Sequence, residues 1–227
     1  MENPILHKLN KTDESEVGFS SFRPCSIDDF VDIGLHKFEV FPGVFNPATS
    51  FSGKFLAQVL FNNKHLFVEA DVLDMACGSG ILGIVCAISG AKSVICTDIS
   101  HSASTNALHN AKLLGLTIKA FHGNLFEALD RSLKFDCIVF NPPGFEGTPN
   151  SEIDSHYFCP YDVIDNFYAL APNFLRKNGF IVSATSEIHD ISRSPLTIAK
   201  KYGYLHDLIA VADSDWGKQY AYQVQPN

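Results

Sequence analysis

Short apolar runs alternate with helical stretches along this chain, and that alternation constrains its fold more than any other feature. Residues 71–75, 93–98, 117–122, 135–140 and 180–185 read as buried strands, each closed by a turn signal. Helices are expected over 80–89, over 102–114 (ending at Gly115), over 124–129 and over 163–176 (stopped by Asn178-Gly179). Another is expected over 194–201, started by Ser194-Pro195. Strands separated by helices pair in parallel with the helices laid over both faces. The last two runs, 205–212 and 220–225, have no helix between them and should form a hairpin, placing one antiparallel strand in the sheet. The expected architecture is α/β: a doubly wound, seven-stranded, mostly parallel sheet with a C-terminal antiparallel hairpin.

Upstream, residues 36–41 alternate polar and apolar and suggest a half-buried strand, followed by a turn at Pro42-Gly43. Residues 51–61 suggest a helix with Phe51, Phe55, Leu56, Val59 and Leu60 on one face. Residues 1–35 are weakly patterned and read as an N-terminal extension, partly disordered; 36–227 read as one domain. Residues 145–162 lack periodicity, and a loop of that length in a compact domain usually serves as a lid or binding loop.

Composition narrows the partners. Of 227 residues, 46% are hydrophobic and 19% charged, enough apolar material for a large core. The net charge of −8 argues against nucleic acid as a partner, because gripping that backbone takes a dense Lys/Arg surface. No apolar run approaches the roughly 20 residues that span a bilayer, so no membrane association is expected. The polar first 16 residues do not resemble a signal peptide. The six cysteines are scattered without a CxxC pair, which points to a reducing, cytoplasmic setting. His156 and Cys159 alone have ligand-like spacing, and no metal is expected.

Two motifs carry chemistry. The first is Val72-Leu73-Asp74-Met75-Ala76-Cys77-Gly78-Ser79-Gly80, a strand, a glycine turn and a helix start. Glycines let the turn close tightly and a ligand approach the backbone, and the helix N-terminus presents free N–H groups. Asp98, at the end of the next strand, stands where a carboxylate can accept from ribose hydroxyls. With Gly83 the glycines also spell G-x-G-x-x-G, which leaves a dinucleotide cofactor open. The second motif, Asn141-Pro142-Pro143-Gly144, closes the 135–140 strand. Two prolines cannot continue a ladder, so the chain leaves the sheet there with an amide held at the strand end. In parallel α/β sheets ligands bind at that end.

Together, Asp-x-x-x-Gly-x-Gly, the acid after strand two and Asn-Pro-Pro after strand four resemble the class I S-adenosylmethionine-dependent methyltransferases, a Rossmann-like fold. Within that class the chain resembles the methyltransferase small domain group, which includes release-factor glutamine methyltransferases and some ribosomal RNA guanine methyltransferases. Gly43-Val44-Phe45-Asn46-Pro47, residues 102–115 with Ala107, Asn110 and Ala111, and the stretch from Leu170-Ala171-Pro172 to Gly179 carry the likeness further. The resemblance implies S-adenosyl-L-methionine as cofactor. Its methionine part would meet Asp74, Gly78, Ser79 and Gly80, and its ribose Asp98. Asn124 would meet the adenine amine unless it caps a helix, and Ala76, Ile99 and Asn141 complete the implied set. The implied catalytic groups are the Asn141 side chain and the Pro142 carbonyl, which would accept the protons of an acceptor nitrogen. Pro143, Phe145, His156 and Tyr157 would meet the acceptor, with Glu146 beside them.

The family's aromatic fourth position is Gly144 here, and the acid-Thr pattern of the glutamine methyltransferases is replaced by Ala48-Thr49-Ser50. The resulting expectation is methyl transfer to a nitrogen of a protein glutamine or a small-molecule acceptor. Three alternatives stay open: a ribosomal RNA guanine N-methyltransferase, a catalytically idle S-adenosylmethionine-binding module, and an NAD-linked oxidoreductase, in which Asn-Pro-Pro would have no role.

Overall fold

The computed structural model describes residues 35, 38–47, 51–150, 156–160, 162–187, 192, 194–214 and 217–227. Helix α1 (Phe51–Asn62) precedes the alternating part. There follow β1 (Asp71–Met75), α2 (Ile81–Ile88), β2 (Ser93–Asp98), α3 (His101–Leu113), β3 (Lys119–His122) and β4 (Phe135–Phe140). A small pair, β5 (Phe145–Glu146) and β6 (Phe158–Cys159), stands apart from the main sheet. The chain then forms α4 (Asp162–Leu170), β7 (Leu175–Ser186), α5 (Pro195–Lys201), β8 (Leu205–Ser214) and β9 (Gly217–Gln225). Among the described residues seven strands make one sheet in the order β3-β2-β1-β4-β7-β9-β8. β9 runs antiparallel to both neighbours, and the remaining pairs are parallel.

Side chains alternate across each strand, so the two faces bury separate cores. Val72, Val94, Val139 and Val182 face α1, α2 and α3, where Leu56, Leu60, Ile84 and Ala107 meet them. Leu73, Ile138, Ile181 and Val224 face α4 and α5, with Phe167, Tyr168 and Ile198. Both faces are covered, which is why the central strands read as continuous apolar runs rather than as alternation. The helix boundaries follow local rules. Ser100 caps α3 by accepting from Ala103 N, and Ser194 caps α5 by accepting from Thr197 N, with Pro195 at the first helical position.

Four local expectations are corrected. Residues 38–41 of the 36–41 segment form no strand, and the other two lie outside the described residues. Their backbone bonds to side-chain amides instead of a ladder: Glu39 N donates to Asn110 Oδ1 and Phe41 N to Asn106 Oδ1, both at 2.8 Å. Residues 124–129 make successive tight turns, because Leu125 sits at φ 47°, where a right-handed helix cannot continue. The helix expected over 163–176 ends at Leu170. Pro172 has no N–H to extend it, a 3-10 turn follows over Ala171–Asn173, and Leu175 already pairs with Phe135 in the sheet. Asn178-Gly179 is therefore not a helix stop. It loops out of β7 between Leu175 and Phe180, with Asn178 at φ 66°. Finally, the 145–162 loop contains the β5–β6 pair, in parallel register Phe145 with Phe158. The extension over 1–35, all but Leu35, lies outside the described residues.

Candidate active site

The carboxyl ends of β1–β4 and β7, and the start of β9, share one edge of the sheet, and a cleft of about 550 Å³ follows that edge. Its wall takes residues in strand order: Gly123 and Asn124 after β3, Asp98 and Ile99 at β2, and Ala76 to Ser79 after β1. Past the middle come Asn141 to Gly144 after β4, then Ala184 to Ser186 of β7 and Gln219 of β9. A cleft of this size suits a small-molecule ligand.

On the β1–β3 side the wall centres on the turn after β1. Ala76 and Gly78 adopt φ 57° and 53°, and a Cβ placed on Gly78 would meet nothing within 4 Å, so this turn bares its main chain to the cleft. Gly80, at φ 84°, serves packing. A Cβ there would come within 2.6 Å of Ala107 Cβ, so glycine is what lets α2 start flush against α3. Asp98 ties the turn to the next loop, its Oδ2 accepting from Gly78 N (2.9 Å) and its Oδ1 from Ser100 N (2.8 Å). Burial pushes its carboxyl up, while these two N–H groups pull it down. Each oxygen keeps a second lone pair for a ligand hydroxyl.

Asp74 is different. It is fully buried and off the cleft wall, as is Gly80. Its Oδ2 accepts from Gly83 N (2.8 Å), its Oδ1 has no partner among the described residues, and burial pushes its carboxyl up to about 7. Asp74 thus shapes the turn from beneath. Ile99, 67% exposed, lends an apolar surface to the rim. No helix follows Asn124, so its side chain is not engaged as an N-cap.

On the β4 side, Asn141, Pro142, Pro143 and Phe145 all line the cleft. Phe145 is fixed by the small sheet, with its N donating to Tyr157 O (2.9 Å) and its ring beside Phe158. His156 Nε2 donates to Gly43 O (2.8 Å), which commits that ring nitrogen to holding the loop against the 43–45 segment. Phe45 stands edge-on to both His156 and Tyr157. The side chain of Glu146 and residues Thr49 and Ser50 lie outside the described residues.

Two groups in the site were given no role there by linear spacing. Asn110 Nδ2 donates to both Glu39 O (2.8 Å) and Ser79 O (2.9 Å), and so joins the glycine turn to the segment that carries Phe45 to the cleft. Thr185, Ser186 and Gln219 reach the wall only through sheet register, Ser186 lying opposite Gln219.

The sequence pattern of the methyltransferase small domain family matches residues 36–205. A Methanocaldococcus jannaschii protein provisionally named a protein N5-glutamine methyltransferase is 33% identical over 158 residues, covering 66% of this chain and 76% of that one. Ribosomal RNA small subunit methyltransferase C of Proteus mirabilis is 29% identical over 140 residues, 61% of this chain but 37% of the relative. Among solved structures, T. thermophilus 16S rRNA N2 G1207 methyltransferase, in complex with AdoMet and guanosine, superposes with a TM-score of 0.64 at 21% identity. It covers 84% of this chain and 47% of its own. Ribosomal protein L11 methylase of Lactobacillus delbrueckii gives 0.55 at 21% identity, over 75% and 77%. These two likenesses are of fold. The family match spans most of the sheet and its turn motifs: this chain belongs to the methyltransferase small domain family and is an S-adenosyl-L-methionine-dependent methyltransferase.

Proposed function

We propose that the chain methylates an uncharged nitrogen, in a protein glutamine or a small-molecule amide, held by Asn141-Pro142-Pro143. The β1–β3 side of the cleft fits the cofactor. The open backbone at Gly78 and Ser79 suits its methionine part, the Asp98 carboxylate suits the ribose hydroxyls, and Ile99 and Asn124 suit the adenine face and amine. Bound there, S-adenosyl-L-methionine supplies a methyl group on a positively charged sulfur.

The remaining work falls to the chain. The lone pair of an amide nitrogen is delocalised and must be aimed. Asn141 Oδ1 and the Pro142 carbonyl accept hydrogen bonds from the two N–H groups, which turns the lone pair along the transfer line and stabilises positive charge as it develops on nitrogen, and one of the two protons then leaves the methylated nitrogen to solvent. The double proline stiffens the turn that carries both acceptors. Phe145 offers the flat surface that the family draws from the position held here by Gly144.

The observation that carries this reading is the position of Asn141, at the end of β4 between the two sides of one cleft. Among the described residues the wall also contains no Lys or Arg, and Asp98 is their one carboxylate, which suits a neutral acceptor better than a charged one. The same feature, with the net charge of −8, weighs against ribosomal RNA. The test is transfer of a labelled methyl to N-acetylglutamine N-methylamide and to guanosine, with calorimetry of S-adenosylhomocysteine and NAD binding. Label on the blocked glutamine is the expected result. Label on guanosine alone would move the acceptor to a nucleobase, and tighter binding of NAD would remove the methyl-transfer reading.

A further inference from the structure

The turn motifs account for the cleft wall as far as β4. Beyond it lies a polar group they do not use. Gln219, near the start of β9, is 3% exposed and sits opposite Ser186 of β7. Its Nε2 donates to Ser186 Oγ at 2.7 Å. Its Oε1 has no partner among the described residues, and neither does Thr185 Oγ1 on the same stretch of wall. Rotating the amide by half a turn exchanges its atoms but leaves one of them unmatched. Buried polar atoms are almost always bonded, and one left unmatched by the described residues on the wall of a cleft is placed to bond a bound ligand.

The backbone on either side of Gln219 is held in place. The hairpin end that carries it is pinned by Glu187, whose carboxylate accepts from Lys218 N (2.9 Å) and from the Tyr220 hydroxyl (2.8 Å). Glu187 N in turn donates to Lys218 O (3.0 Å). Such support holds a recognition group in one geometry.

The surroundings define the ligand. Among the described residues the wall carries no Lys or Arg to meet a carboxylate or phosphate, and the one carboxylate among them, Asp98, lies on the β1–β3 side. A primary amide with one edge free pairs best with a neutral group offering a donor or an acceptor, and another amide offers both. We propose that Gln219, held by Ser186, is a specificity-determining residue that hydrogen-bonds a second neutral amide of the methyl acceptor, beside the nitrogen being methylated. The acceptor class is then a peptide or a small molecule with at least two amides, and not a lone carboxamide. This deepens the nitrogen-methylation reading above and rests on it.

The test compares N-acetylglutamine N-methylamide, whose backbone amides flank the side-chain amide, with propionamide, which has the reacting amide alone. Full-length wild type, Gln219→Leu and Gln219→Met are assayed with S-adenosyl-L-methionine, and S-adenosylhomocysteine affinity and melting temperature are measured on each. In both variants the ratio of kcat/KM for blocked glutamine over propionamide should fall at least tenfold. S-adenosylhomocysteine affinity should stay within twofold, and the melting temperature should change little, because loss of the bond to Ser186 Oγ is offset by removal of the unmatched Oε1. A ratio unchanged in both variants, or a parallel loss of S-adenosylhomocysteine affinity, overturns the assignment of Gln219 while leaving the reaction class standing. If wild type methylates neither probe, the nitrogen reading falls and Gln219 loses its role with it.

Discussion

The two sides of the cleft are built in opposite ways. The β1–β3 side is a local construction. Residues 74–83 form one strand–turn–helix, and Asp98, one unit further on, clasps it through Gly78 N. Its centre is a turn at positive φ, at Ala76 and Gly78, and such a turn favours glycine, which leaves a mark in the sequence. The β4–β9 side is a long-range construction. Asn141, Ser186 and Gln219 come from three strands far apart in the chain and meet only because the sheet sets β4, β7 and β9 side by side. Its wall is side chain, and Gln or Ser at a strand end looks like any other polar residue. A glycine turn can thus be read from spacing, whereas the wall beyond β4 needs the register.

The strongest way to break this division is at the point where the two sides meet. Asn141→Ala should lower kcat about 10²–10³-fold, the loss typical when one preorganised hydrogen-bonding group is removed from a developing charge. S-adenosylhomocysteine affinity, measured by calorimetry, should change less than twofold. If cofactor affinity collapsed along with turnover, Asn141 would belong to the cofactor side and the division would be drawn in the wrong place.

Asn110 tests whether the sides are mechanically joined. Its amide holds Ser79 O on one side and Glu39 N and O on the other, all at 2.8–2.9 Å. Replacing it with Ala leaves several backbone groups unmatched near a buried helix face. The expected loss is about 3 kcal/mol of unfolding free energy by denaturant titration. A loss below about 1 kcal/mol would mean that the 39–45 segment docks by its apolar contacts alone.

Much of the fold follows the same division. The βαβ alternation and the closing hairpin were legible because buried strands and capped helices each have a period and a stop signal. The errors fall where the competing interaction is distant or geometric. Residues 38–41 look like a strand, yet their ladder is replaced by Asn106 and Asn110, more than sixty positions downstream. Leu125 breaks a helix through φ 47°, a conformation no periodicity announces for leucine. Leu175 leaves its expected helix because Phe135 offers a sheet edge. In the site, Gly78, Asp98 and Asn141 were readable. Asp74 was readable as part of the motif, but not as lying beneath the wall, and His156 was singled out without any sign of its bond to Gly43.

A smaller effect sharpens the β1–β3 side. Asp98→Asn keeps one acceptor oxygen but loses the charge that two backbone N–H groups and a diol prefer. S-adenosylhomocysteine affinity should fall about tenfold, near 1.4 kcal/mol. A change below twofold would confine Asp98 to holding the Gly78 turn.

The pH dependence of stability separates the two acids of that side. Asp74 lies under the turn and its carboxyl is pushed up to about 7, first by burial, with Asp98 adding repulsion and Gly83 N–H opposing both. In the unfolded chain the same group titrates near the usual value of about 3.9. The folded state therefore holds its proton more tightly. The associated stability is fully present below pH of about 4 and is lost as pH rises to about 7, at no more than about 1.4 kcal/mol per pH unit. Asp74→Asn cannot titrate and still offers an oxygen to Gly83 N, so its unfolding free energy should lose this slope between pH 4 and 7. The measurement is denaturant unfolding of both proteins across that range, taken as a difference so that other titrating groups cancel. A wild-type curve parallel to that of the variant would mean that Asp74 is ionised beneath the turn, and the two acids would then differ in position but not in protonation.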